Sequence, residues 1–221
     1  MPAVRGNCAL TGAGAALNLT RVTLPPVPEI PLRTSHPTLV AASRTITAQR
    51  EAMVTQWIAW LGDRLSATSA IPCEVVRQEL MLLIDVFASM IGPMRRETKI
   101  IWLRASELYG NHAAMRGLAA GEVVEEMQYL RELLIRHLAP AIAALRPRQG
   151  MALLLRLNRL VDRGVAMAVV GYTDALVQSL LPGSDDRPAT RAPDPEELTR
   201  SISRMRTELV NTVTAQNFST N

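Results

Sequence analysis

Residues 108–138 contain the end of one helix, a turn and the start of a strongly amphipathic second helix, and this unit constrains the fold more than any other stretch. Apolar residues recur at three and four positions before and after the turn, which puts them on one face of a helix. The same spacing extends through most of the chain and defines five helices. The first, about residues 38–65, places Ile46, Met53, Trp57, Trp60 and Leu61 on one side. The second follows Pro72, a residue suited to a first helical turn, and carries Val76, Leu80, Leu83, Phe87 and Met90 until Gly92-Pro93 ends it. The third, about residues 94–116, is expected to turn Ile101, Ala105, Leu108, His112 and Met115 inward, with Gly117 as a left-handed terminator.

The fourth helix, about residues 122–145, opens on Glu122, Glu125 and Glu126, which suit the positive end of the helix dipole. It stripes Val123, Met127, Leu130, Leu134 and Leu138, and Pro140 is expected to kink it. The fifth, about residues 151–181, is the longest. It is expected to face Leu153, Leu157, Leu160, Val161, Val165, Ala168, Tyr172 and Leu176 inward, opposite Arg156, Arg159 and Arg163. No alternating strand pattern or Asn-Gly hairpin signal interrupts these helices. The expected fold is therefore all-α, a bundle of four to five helices over residues 37–181.

Tails flank this bundle. Residues 1–36 are rich in Gly and Ala, then in proline, and Pro25, Pro26, Pro28 and Pro31 favour an extended arm. That arm is either a disordered tail or a strap that orders along a partner. A linker over residues 182–195 leads to a C-terminal amphipathic helix over residues 196–216. Asp194 is placed to cap this helix, Pro195 to start it, and Leu198, Ile202, Met205 and Leu209 to form its apolar stripe. Such a stripe either packs on its own bundle or pairs with a partner.

Composition narrows the function classes. The chain carries 24 basic and 20 acidic residues, a net charge of +4, and Lys99 is its single lysine. The arginines are spread over several helices, and few aromatics lie between them, so nucleic-acid binding is not expected. Two cysteines in unlike contexts argue against a disulfide and for a reducing compartment. The start of the chain lacks the apolar core of a secretory signal. Residues 164–181 fall short of the roughly 20 apolar residues that span a bilayer. The expected location is cytoplasmic, free or peripheral on the cytoplasmic face of a membrane complex.

Three constellations invite a chemical reading. His112 and His137, with Asp162 or Glu126 nearby, could hold a metal or a proton; without a Glu-x-x-His pair on facing helices, a hydrogen-bonded core or interface histidine is preferred. The run Thr11-Gly-Ala-Gly lacks the strand and lysine of a phosphate loop. Cys73, at a helix start among apolar neighbours, is expected to be a packing residue rather than a reactive thiol. No nucleophile with its base, paired carboxylates or metal spacing assembles, so neither enzymatic activity nor a cofactor is expected. The recognition set is expected to be Arg116, Arg131, Arg146 and Arg148, whose guanidinium forks suit carboxylates or lipid phosphates. Trp57, His112 and Tyr129 are the residues that a small-molecule pocket between the helices would use.

Trp57, the segment His112-Ala-Ala-Met-Arg116 followed by Gly121, the segment from Glu126 to Arg131 with Tyr129-Leu130-Arg131, and Leu157-Asn-Arg-Leu-Val-Asp162 leading to Tyr172 resemble a known pattern. It is that of the helical amino-terminal sensor domain of the RsbR-type co-antagonist proteins of the bacterial stressosome, also found ahead of some histidine kinases. The resemblance spans about residues 40–180, departs by one residue between Arg116 and Gly121, and reaches no phosphorylatable output domain. It implies signal reception by a helical bundle, dimerisation and protein contact without chemistry. The expected function is thus a non-enzymatic, protein-binding, sensor-like regulator. The alternative is an accessory subunit of a larger assembly, respiratory or photosynthetic for example, anchored by the proline arm. Partners left open are another protein, a multi-subunit assembly, a second copy of the chain and a peripheral membrane contact.

Overall fold

The computed structural model describes residues 37–62, 72–92, 95–180 and 194–219. Among the described residues it is all-α, with seven helices and no strand. The stretch expected to be one first helix is two, α1 (Pro37–Ala48) and α2 (Arg50–Gly62). The break at Gln49 is slight, because Gln49 N–H still donates to the Thr45 carbonyl and Met53 N–H to that of Gln49, each at 3.0 Å. Just before it, the Thr45 and Thr47 hydroxyls donate back to the carbonyls of Ala41 and Ser43 at 3.0 and 3.1 Å. Such back-bonding competes with the helical ladder and bends it. The inward stripe survives, since Leu39, Ala42, Ile46, Met53, Val54, Trp57 and Leu61 are all buried.

Helix α3 (Cys73–Ile91) lies at the centre, against α1, α2, α4, α6 and α7. Its expected stripe is buried, and so are Val75, Leu82, Ile84, Val86, Ala88 and Ile91, which widen the stripe and leave Gln78, Met81, Asp85 and Ser89 half-buried on the remaining side. A helix whose buried apolar face is this wide belongs inside a domain. The helix follows Pro72 as expected, with Pro72 as its N-cap in extended backbone (φ −58°, ψ 139°).

Helices α4 (Arg95–Met115) and α6 (Pro147–Leu180) approach to backbone contact. A Cβ on Gly110 would stand 1.7 Å from the Ala168 carbonyl oxygen, and one on Gly171 2.0 Å from that of Glu107. One on Gly164 would meet Trp102 Cζ2 at 2.5 Å. Glycine is therefore the residue these positions require. Trp102 fills the remaining space and donates its indole N–H to the Leu160 carbonyl at 3.1 Å. This contact corrects the expected face of α4: Trp102, Tyr109 and Ala113 are buried, whereas Met115 is 42% exposed.

Between α4 and α5 (Ala120–Ala143) the chain turns as its sequence suggests. Gly117 adopts φ +79°. Its N–H donates to the Ala114 carbonyl at 2.9 Å and Leu118 N–H to that of Ala113 at 3.2 Å, the pair of bonds that defines a Schellman terminus. The buried Tyr172 of α6 donates its hydroxyl to the Leu118 carbonyl at 2.8 Å, tying the turn to α6. Glu122 accepts the Ala119 N–H at 2.6 Å and closes the start of α5. Helix α7 (Pro195–Ser219) begins as expected, with Asp194 Oδ1 accepting the Glu196 N–H at 3.0 Å. It packs on α3 and α4.

Candidate functional site

Tyr109, His112 and Arg116 follow one another at spacings of three and four, so α4 presents all three on one face. That face is buried, and other helices bring acids and a ring to it: Glu79 from α3, Glu126 from α5 and Trp57 from α2. Arg116 grips Glu126 with both fork nitrogens, Nη1 to Oε1 at 3.1 Å and Nη2 to Oε2 at 2.8 Å. Tyr109 donates its hydroxyl to Glu126 Oε2. The Arg116 guanidinium also lies over the Tyr109 ring, 5.3 Å from its centroid. The Trp57 ring lies 6.0 Å from that of Tyr109, tilted by 55°.

His112 and Glu79 form the second half of the centre. Nδ1 approaches Glu79 Oε1 to 2.7 Å, but off the line of a hydrogen bond, and neither atom makes one elsewhere. Burial opposes the charge on Arg116, yet Tyr109 and Glu126 more than offset it, so the guanidinium is held more firmly protonated than usual. Burial, and then the Glu126 carboxylate, push the Tyr109 phenol well above its ordinary range. The arrangement is a polar clamp that ties α4 to α5 through the Arg116–Glu126 ion pair and to α3 through the His112–Glu79 contact. Because Glu126 already accepts from Arg116 and Tyr109, it is poorly placed to act as a base.

The clamp draws together some of the residues anticipated from sequence and separates others. Arg116 has no exposed side-chain surface, so it is removed from any recognition set by its pairing with Glu126. Arg131 bridges to Asp162 and links α5 to α6, while Arg146 and Arg148 are exposed at the α5–α6 turn. These two lie about 20 Å along α5 from Arg131, at 1.5 Å per helical residue. Leu198, Ile202 and Leu209 are buried and Met205 partly so, because α3 and α4 cover the apolar stripe of α7. Trp57 and His112 meet the same centre through Tyr109, but Tyr129 stacks on Trp60 instead, at 4.4 Å and 7°. The proposed pocket trio is thus divided.

His137 is half-buried, and its expected partners are engaged elsewhere, Asp162 with Arg131 and Glu126 with Arg116. Among the described residues no three His, Cys, Asp or Glu side chains are grouped to hold a metal ion. Cys73 is exposed, not packed, because it occupies the first turn of α3 before the helix enters the core. Pro25, Pro26, Pro28, Pro31 and most of the linker lie outside the described residues. Sequence reasoning missed Tyr109 and Glu79. The 3–4 spacing of Tyr109, His112 and Arg116 was the signal for the first, and a lone acid inside an apolar run the signal for the second.

The outer face of α6 supplies a second candidate. Of nine large hydrophobic residues exposed among the described residues, six belong to α6: Met151, Leu155, Val170, Leu176, Val177 and Leu180. Leu176 was expected inward, but among the described residues nothing covers the last turn of α6: Leu176 is 42% exposed and Leu180 81%. Ala166, Val170, Thr173, Val177 and Leu180 are all exposed, at alternating spacings of four and three. This is the spacing of a coiled-coil seam. No helix among the described residues is long and apolar enough to cross a membrane. Compared with protein-family models, curated proteins and solved structures, the chain matches none of them.

Proposed function

We propose that this chain is a non-enzymatic, protein-binding helical module, a regulator of the sensor-like kind that the sequence resemblance implies, and that it docks through the outer face of α6. One observation carries this reading: most of the large apolar side chains exposed among the described residues are collected on a single helix. Scattered exposed hydrophobics need no explanation, whereas a contiguous stripe marks a contact surface. The buried clamp supports a role in transmission. It joins three helices through buried polar contacts, and loss of either partner of the Arg116–Glu126 pair leaves a charge stranded.

Affinity capture with the full chain and with a V170E/V177E variant tests this reading. A protein recovered in stoichiometric amount by the wild type and lost from the variant supports it. Identical recovery by both chains, with the variant folded, refutes docking through this face.

A further inference from the structure

We infer that the outer face of α6 takes an acidic amphipathic helix of another protein, with the helix's apolar stripe over Ala166 to Leu180 and its carboxylates against the arginines that precede them. This rests on the reading of α6 as a docking face and names the chemistry of its occupant. The stripe has seam spacing, so its complement is another helix rather than a strand or a loop. Charge then divides the face. From Ala166 onward the stripe is uncharged, with Asp174 on one edge. Before Ala166, Met151 and Leu155 stand among Arg148, Arg159 and Arg163, all exposed, with Arg146 in the turn that precedes the helix. Lys99 of α4 adds to this charge: it is exposed and lies one turn before Trp102, on the side of α4 that meets α6. Asp162, the one acid in this half of α6, is already engaged by Arg131.

Covering these arginines with a purely apolar helix would strip water from charges that gain no partner. A helix with carboxylates on the flanks of its stripe supplies that partner, because a guanidinium fork takes a carboxylate through two parallel bonds. The aliphatic stems of Arg159 and Arg163 can then lie along the sides of the incoming helix, whose apolar residues cover Met151 and Leu155. Asp174 adds a second requirement, since an acid placed against it would be repelled. The occupant therefore carries its acids over one half only, the half that lies against residues 148–163. An anionic membrane would match the arginines, but it would also face Asp174, and α6 has no Trp or Phe to anchor it at such a surface.

Fluorescence anisotropy of a labelled synthetic helix titrated with the full chain tests this, with far-UV circular dichroism to establish that each variant is folded. The probe matches residues 151–180 in length and carries a leucine stripe at spacings of three and four, flanked by glutamates over one half. Its counterpart has lysines in place of the glutamates. The full chain is expected to bind the glutamate helix at least tenfold more tightly than the lysine helix, and less tightly as salt rises. R148E/R163E, which leaves the apolar stripe untouched, is expected to abolish that preference, and V170E/V177E to lose both helices. Equal binding of the two helices, binding of neither, or an R148E/R163E variant that keeps the wild-type preference would each overturn the inference. Binding to vesicles of equimolar phosphatidylcholine and phosphatidylglycerol, but to neither helix, would overturn it in favour of a lipid surface. A protein captured by the wild type, lost from V170E/V177E and kept by R148E/R163E would overturn the acidic partner alone and leave docking through α6 intact.

Discussion

Gly110 and Ala168 hold α4 and α6 at backbone contact, because a Cβ at residue 110 would stand 1.7 Å from the Ala168 carbonyl oxygen. That contact fixes the height of α4 against α6, and so the height at which Tyr109, His112 and Arg116 face Glu79 and Glu126.

Enlarging these glycines should therefore cost far more than their size suggests. Gly110→Ala and Gly171→Ala force two helix backbones apart and are expected to destabilise the fold by about 3 kcal/mol or more, the upper range for overpacking. Gly121→Ala has open space around it and is expected to be neutral or to stabilise α5 by up to about 1 kcal/mol. Urea midpoints of the three variants measure the contrast, and equal costs at residues 110 and 121 would refute the close approach.

Breaking the Arg116–Glu126 pair strands a buried charge. Arg116→Ala or Glu126→Ala is expected to cost about 3–5 kcal/mol, whereas an apolar replacement of both partners should recover much of the loss. A double-mutant cycle on denaturant unfolding reads the coupling. Additive single costs would mean that the two side chains do not meet.

His112 and Glu79 should behave alike despite their poor hydrogen-bond geometry. His112→Leu leaves the Glu79 carboxylate in the core without its closest polar neighbour, and the H112L/E79L variant removes both groups. The double variant is expected to be more stable than H112L, because a stranded polar group costs more than an absent pair. Thermal unfolding of the two proteins decides between these outcomes.

Tyr109 makes stability fall at alkaline pH. Its phenol is pushed well above the ordinary value near 10, first by burial and then by Glu126, so the folded chain keeps a proton that the unfolded chain releases. The unfolded state then binds fewer protons, and stability drops as pH rises past about 10 toward the folded value, being fully present below that window. Tyr109→Phe is expected to lose this part of the alkaline slope. Urea midpoints of wild type and variant between pH 8 and 11 test it, and parallel curves would contradict it.

Much of the helix layout is legible from local chemistry. Gly117 announces its left-handed turn, and Asp194-Pro195 announces the start of α7, because each signal acts on its own backbone. What escapes the sequence depends on contacts between distant residues. The phase of α4 is obscured near its end because the charged Arg116 lies on its buried face, where periodicity expects an apolar residue, while the apolar Met115 beside it is exposed. Glu79 hides in the apolar run of α3, and its reason for being there is supplied by α4. Leu176 keeps the period of the α6 stripe, but no helix among the described residues is packed over it, and it is exposed.

Amide hydrogen exchange along α6, compared between the free chain and the chain bound to the protein it captures, tests most directly whether its outer face is a protein contact. Docking through this face predicts slower exchange over residues 166–180 in the bound chain, no such change in α7, and loss of the effect in V170E/V177E. Exchange over residues 166–180 that is the same in the free and the bound chain would contradict it.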